Sequence, residues 1–301
     1  MSRPEYSRTL STNLSSGGSA RPLEGKVAIV TGGSRGIGAA ICRNFAAKGC
    51  HLILNYTSDN SAKPTEELAS KLEQEHRIRT VVVQADMGSV KGPAHIVTMG
   101  QNGLKHPKTG KFQIDIIVNN AGVSVNRPIE ECDAEDFEKQ YNVNVRGPLF
   151  LMQAAIPFLP TDRSGRVVNV SSVSASCGFV SQSVYGGTKA ALEAMTRTWA
   201  RELAERCTVN AINPGPVATD MYGGTSKEFQ MAMSSWTKNT PLSKIREGID
   251  KQEFVDNEPF AGGRPAYVED IAGVVGMLCS AESGWCTGSV VCANGGMRFS
   301  P

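Results

Sequence analysis

The chain has 301 residues, with 31 basic and 29 acidic side chains and a net charge of +2. Apolar residues make up 40% and charged residues 20%, a composition that builds a core rather than a disordered chain. The balanced charge gives no electrostatic case for nucleic acid or an anionic membrane, and no apolar run approaches the ~20 residues of a membrane span. The eight cysteines (Cys42, Cys50, Cys132, Cys177, Cys207, Cys279, Cys286 and Cys292) include no C-x-x-C pair, and the four histidines form no ligand-spaced pair. The cysteines are expected as buried small hydrophobes of a reducing compartment, with no disulfide framework and no metal.

Residues 1–24 are rich in Ser, Arg, Thr and Gly and lack an apolar stretch. They are expected as a disordered tail of a cytoplasmic protein, with a mitochondrial presequence as the alternative. The domain then runs over 25–301. Short apolar strands are expected at Val27–Thr31, His51–Leu54, Thr80–Val83, Ile114–Val118, Arg166–Val170, Thr208–Ile212 and near 288–292. Amphipathic helices are expected after the first strand and near 64–76, 88–101, 134–159, 183–206 and 268–280. Continuous apolar strands alternating with helices predict an α/β fold, a doubly wound parallel sheet covered on both faces. Gly100–Lys111 is expected as a solvated loop, and residues 221–265 as a long insert, which in a compact domain is usually functional or disordered.

The first strand runs into Thr31-Gly-Gly-Ser-Arg-Gly-Ile-Gly38. A strand, a glycine turn and a helix start form an anion site, because unpaired N–H groups and the positive helix end point at a pyrophosphate. Gly32 suits the turn, Gly36 a close approach of backbone to phosphate, and Gly38 tight packing.

The T-G-x-x-x-G-I-G spacing resembles the short-chain dehydrogenase/reductase family, and further motifs follow in that family's order: Asp86 after the third strand, Asn119-Asn-Ala-Gly122, Val143-Asn-Val-Arg-Gly147, Ser171-Ser172, Tyr185-Gly-Gly-Thr-Lys189 and Asn213-Pro-Gly-Pro-Val-Ala-Thr219. The resemblance spans about 25–298 and implies a single Rossmann-type domain that transfers hydride between NADP and a ketone or secondary alcohol. It implies cofactor contacts from Gly32, Ser34, Arg35, Gly36, Ile37, Gly38, Asp86, Asn120, Ala121, Gly122, Pro214, Gly215, Val217 and Thr219. An NAD enzyme carries a carboxylate at the end of the second strand. Here that turn is Asn55-Tyr56-Thr57-Ser58, with Asp59 one or two positions late. Arg35 in the glycine loop, helped by Ser34, Asn55, Tyr56 and Ser58, suits a 2′-phosphate, so NADPH is expected over NADH.

Tyr185 and Lys189 share one helix face, and a nearby ammonium lowers a phenol's pKa from about 10 toward the useful range. The resemblance makes Tyr185 the proton donor, Ser172 the group that orients the carbonyl oxygen, Lys189 the ribose and pKa partner, and Asn144 the holder of a relay water. The acidic run Glu130–Glu138, against only Arg127 and Arg146, favours a free small molecule over an acyl-carrier-bound 3-oxoacyl chain. With every motif residue present, a non-catalytic cofactor-binding regulator is the weaker alternative, and the loop differs from that of the extended isomerase branch. The insert carries Met221, Tyr222 and Trp236 among other large apolar side chains, while its six basic and six acidic residues cancel. This suggests a bulky or aromatic, polyketide-type ketone, and Thr219-Asp-Met-Tyr222 resembles fungal hydroxynaphthalene reductases of secondary metabolism. The apolar residues of the 183–206 helix predict a homotetramer or homodimer.

Overall fold

The computed structural model describes residues 21–106 and 108–299. Seven parallel strands form one sheet in the order β3-β2-β1-β4-β5-β6-β7: β1 Val27–Val30, β2 His51–Tyr56, β3 Thr80–Gln84, β4 Ile116–Asn119, β5 Gly165–Val170, β6 Cys207–Ile212 and β7 Val290–Val291. The five inner strands β2, β1, β4, β5 and β6 are buried almost throughout, which explains their largely apolar sequences. On one face, α1 (Gly36–Ala47), α2 (Ala62–His76) and α11 (Val268–Leu278) enclose a core around Phe45, Leu52 and Val118. On the other, α3 (Gly92–Leu104), α5 (Gly147–Ala155) and α7 (Ser183–Glu202) enclose a second core around Ile29, Ile96, Ile117 and Trp199. The order reverses between β1 and β4, so a crevice opens at their carboxyl ends.

Several boundaries differ from expectation. Residues 1–20 of the anticipated tail lie outside the described residues. Residues 21–24 are part of the body: Leu23 is buried in the first core, and Arg21 donates to the His76 carbonyl at 2.7 Å. Gly100 is not in a loop but inside α3, where a Cβ would meet Ile53 Cδ1 at 2.3 Å. The long helical region before β5 breaks into α4 (Ala134–Tyr141), a π-helical turn at Asn142–Arg146, and α5. Only Cys42, Cys50, Cys207 and Cys279 are buried, while Cys292 is exposed. Burial pushes the thiols of Cys42 and Cys279 up to about 12, which leaves them unreactive. Among the described residues no group of three His, Cys, Asp or Glu could hold a metal, and no helix is long and apolar enough to cross a membrane.

The insert is folded. It contains α8 (Asp220–Gly223), α9 (Lys227–Lys238) and α10 (Gln252–Ala261). Thr219 caps α8 by accepting from the Tyr222 N–H, and Ser226 caps α9 by accepting from that of Phe229. Both residues are of the type that satisfies otherwise orphaned helix donors.

Candidate active site

The crevice is a cleft of about 1220 Å³ lined from the glycine loop across to the insert. At one end, the turn after β1 places Gly36 at φ +53°, and a Cβ on Gly38 would stand 2.1 Å from the Gly32 carbonyl oxygen. Any side chain at position 38 would therefore push the loop off the helix. Asn120 clamps the same loop, donating to the carbonyls of Thr31 and Gly32 at 2.8 and 3.2 Å. The start of α1 has no side-chain cap and no acidic residue in its first turn, so its free N–H groups fit a pyrophosphate. Ser34, Arg35, Ile37, Tyr56, Ser58, Asp86, Ala121, Gly122, Pro214, Gly215, Val217 and Thr219 all line the cleft with these glycines.

Asn55 is the exception. It is wholly buried; its Oδ1 accepts from the Gly32 N–H at 3.3 Å, and its Nδ2 donates to the carbonyls of Tyr56, Val83 and Ala85. It shapes the loop from behind and does not line the cleft. Asp59 does not line it either, and accepts from Gln84 Nε2 at 2.6 Å. Arg35 lies 3.5 Å from the carboxylate of Asp220, with both side chains largely exposed. This pair joins the glycine loop to the first helix of the insert.

At the other end of the cleft, β5 delivers Ser172 and the first turns of α7 deliver Tyr185 and Lys189. Ser172 Oγ neighbours the Tyr185 hydroxyl, donates to Ser174 Oγ at 3.0 Å and accepts from the Ser174 N–H at 3.1 Å. Lys189 is buried, donates to the Val170 carbonyl at 2.8 Å, and sits 5.6 Å from the Tyr185 ring centre. A lowered phenol pKa was expected from this ammonium. Instead, burial pushes the Tyr185 hydroxyl up to about 12, opposed in part by the Ser172 hydroxyl, and burial alone brings Lys189 down to about 8. Desolvation outweighs attraction here because both charged forms are removed from water together.

Asn144 lies in the π-helical turn, a local widening of the helix that often marks functional positions. Its Oδ1 accepts from the Val123 N–H at 2.9 Å; its Nδ2 donates to the Val123 carbonyl at 2.9 Å and to Thr188 Oγ1 at 3.0 Å. The amide hydrogens are thus spent tying α4–α5 to the β4 loop and to α7. Gly122 packs beside both residues, a Cβ there standing in ordinary contact at 3.4 Å from Asn144 Oδ1 and Lys189 Nζ.

The cleft beside Tyr185 also holds residues that the sequence did not single out, the polar Ser124, Asn126, Ser174 and Gln182 and the apolar Phe179, together with Phe229 and Met233 from among the insert's large apolar side chains. Met221 and Tyr222 join the apolar side as expected, but Trp236 does not line the cleft. It packs edge-on against Phe179 at 5.4 Å. Ser124 and Asn126 carry no spacing signal; Gln182, one turn before Tyr185, had only its helical register to mark it.

The profile of the family described as short chain dehydrogenase matches residues 26–229. The chain belongs to the short-chain dehydrogenase/reductase family. It is therefore an oxidoreductase acting on CH–OH and C=O groups with a nicotinamide cofactor. It is 51% identical to an L-xylulose reductase of Aspergillus niger, over 93% of this chain and 99% of the relative. It is 48% identical to an L-xylo-3-hexulose reductase of Hypocrea jecorina, with the same two coverages. Among solved structures, an angucycline C-6 ketoreductase with bound NADP is 32% identical, with a TM-score of 0.75 over 92% of this chain and 96% of that one. In this short-chain reductase, the glycine loop at α1 and the Ser172–Tyr185–Lys189 group line one cleft.

Proposed function

We propose that this reductase converts a polyhydroxylated ketone, a ketose, to the corresponding alcohol with NADPH. The observation that carries this reading is the polar wall of Ser124, Asn126, Ser174 and Gln182 in the same cleft as Ser172 and Tyr185. Hydroxyls of a sugar offer donors and acceptors to such a wall, whereas a flat hydrocarbon would strand its polar groups. The two relatives near 50% identity, both named as reductases of ketoses, support it.

A nicotinamide, when bound, would supply the hydride. Ser172 holds the carbonyl oxygen beside the phenol, and the Tyr185 hydroxyl gives that oxygen its proton. A phenol pushed up to about 12 is fully protonated at neutral pH and ready to donate. Lys189, near 8, is the group that holds positive charge next to the transient phenolate and returns the proton. Asn144 positions Lys189 by fixing the turn against α7. On the cofactor side, Arg35 and the carboxylate-free Asn55–Ser58 turn support a 2′-phosphate, hence NADPH over NADH. The basic residues that would welcome an acidic carrier protein are engaged: Arg127 pairs with Asp136 at 2.5 Å, and Arg146 donates to the Gly88 carbonyl. A free substrate is therefore favoured over a carrier-bound one.

A second reading, a bulky aromatic ketone, draws on Phe179, Tyr222, Phe229 and Met233, which line the same cleft, and on the likeness to an angucycline ketoreductase. The test is kcat/KM with NADPH for L-xylulose against a two-ring aromatic ketone such as 1-tetralone. The ketose reading expects L-xylulose to lead at least tenfold. A lead for the aromatic ketone overturns it.

A further inference from the structure

Three consecutive residues at the carboxyl end of β5 and just beyond it are tied to one stripe of α7. Asn169 Nδ2 donates to Thr196 Oγ1 at 2.8 Å, and the Val170 carbonyl accepts from Lys189 Nζ at 2.8 Å. Ser171 Oγ donates to Glu193 Oε1 at 2.8 Å, with the Lys189 carbonyl a longer acceptor at 3.3 Å. Lys189, Glu193 and Thr196 recur at helical spacing and share a face. Ser172 follows Ser171 directly, while Lys189 and Tyr185 precede Glu193 by one and two turns. The three ties therefore set the register of α7 against the strand that delivers Ser172.

Glu193 is the member of this set that packing does not explain. Asn169 and Thr196 are wholly buried and satisfy each other. Glu193 is half-buried, and burial pushes its carboxyl above the ordinary value, opposed first by the hydrogen bond from Ser171 and then by the charges of Arg197 and Arg298. A carboxylate drawn out of water is costly unless it is paired, and its short partner is the hydroxyl of Ser171, a residue only 3% exposed. Without Glu193 that hydroxyl keeps only the longer contact within the set. A helix slips by 1.5 Å per residue, and a misplacement of about 1 Å costs about 10²-fold in rate. We infer that Glu193 is a positioning residue of the reduction: through Ser171 it holds the Ser172 hydroxyl in register with Tyr185 and Lys189. The inference rests on the roles given above to Ser172 and Tyr185 and on neither substrate reading.

The test measures kcat, KM and NADPH affinity with the fastest of L-xylulose, 1-tetralone and butane-2,3-dione, a set that spans both substrate readings and neither. Glu193→Ala and Ser171→Ala each lower kcat at least fivefold, with KM and NADPH affinity within threefold of the unaltered enzyme. Glu193→Gln, which keeps an acceptor oxygen, stays within threefold in kcat. Because the two side chains make one bond, the double Ser171→Ala/Glu193→Ala variant loses less than threefold beyond the poorer single variant. A kcat loss below fivefold in Glu193→Ala overturns the inference. So does a loss above threefold in Glu193→Gln, or a further loss of threefold or more in the double variant. Circular dichroism and Tm report folding; if Glu193→Ala is not folded, a loss below fivefold in Ser171→Ala overturns the inference. Ordinary turnover by Tyr185→Phe refutes the catalytic roles themselves, whereas the other contrary results refute only the role of Glu193.

Discussion

Tyr185 and Lys189 face one cleft with proton affinities moved in opposite directions by the same cause. Burial raises the phenol and lowers the ammonium, which moves their proton affinities apart and makes return of a proton from Lys189 to the phenolate downhill. Lys189 is protonated below about pH 8 and neutral above it. Reduction consumes a proton, so kcat/KM for reduction is expected to be level below pH 8 and to fall toward tenfold per unit above it; a profile flat to pH 10 contradicts this. Tyr185→Phe removes the proton donor and is expected to cut kcat by at least about 10³-fold, with NADPH affinity changed less than about threefold as measured by fluorescence titration. At the opposite end, Arg35 is shared between Asp220 and the expected phosphate. An exposed ion pair is worth about 0–1 kcal/mol. Asp220→Asn should therefore tighten NADPH by at most about fivefold, while Arg35→Ala should weaken NADPH about tenfold or more and leave NADH nearly unchanged. Equal losses for the two cofactors would remove Arg35 from the phosphate.

At the level of elements, a single carboxylate organises much of the insert. Asp250 accepts from the Arg246 N–H and side chain, lies 3.4 Å from Arg264 Nε, and accepts from the Tyr267 hydroxyl at 3.3 Å. The hydrogen bond from Arg246 leads the causes that bring its carboxyl down to about 2. Because the folded carboxyl is the more acidic, its contribution to stability is complete above about pH 4 and is lost as pH falls toward 2. Asp250→Asn keeps the shape but not the charge. It should raise the rate of limited proteolysis within 244–265 several-fold at neutral pH, while β1–β6 remain protected from hydrogen exchange; unchanged cleavage would show that the ion pairs are incidental. The π-helical turn is the other device at this scale. It brings Asn144 onto both backbone groups of Val123, and Asn144→Ala would leave a buried N–H and C=O unpaired at a cost of about 1–3 kcal/mol each.

For the whole molecule, two cores on either side of one sheet carry the stability, and each depends on large side chains with no exposure, such as Phe45 and Ile117. Phe45→Ala should cost about 3–5 kcal/mol, read as a lowered Tm. Assembly is expected from what the cores leave uncovered. Leu192 and Trp199 of α7, expected in part on its outer face, are buried against this chain's own sheet. Ala190 and Ala194 are exposed there, and Phe137 on α4 and Leu149 on α5 are 47% and 41% exposed. Small residues flanked by large apolar ones suit close pairing of like helices in a two-fold interface. Light scattering is expected to give a multiple of 32.1 kDa, and a monomer mass at micromolar concentration would refute the pairing.

The parallel sheet was legible because strands buried on both faces must be apolar at every position, as Val27–Val30 is, and such runs are visible in one dimension. The glycine loop and Tyr185–Lys189 were legible for a related reason: each is a local device, in which turn geometry or one helical turn brings the working groups together within a few residues. The helices of the insert were less visible, since α10 carries Pro259 and its order depends on contacts such as those of Asp250 with Arg264 and Tyr267. Asn55 misled because a polar residue at a strand end looks the same in sequence whether it faces a ligand or the backbone behind it. Trp236 misled likewise, its place being decided by Phe179, 57 positions away. The pairing of Gln182 with Asn126, across 56 positions, came from tertiary structure alone: hydrogen bonds belong to atoms that meet in space, and no spacing along the chain encodes which of them meet.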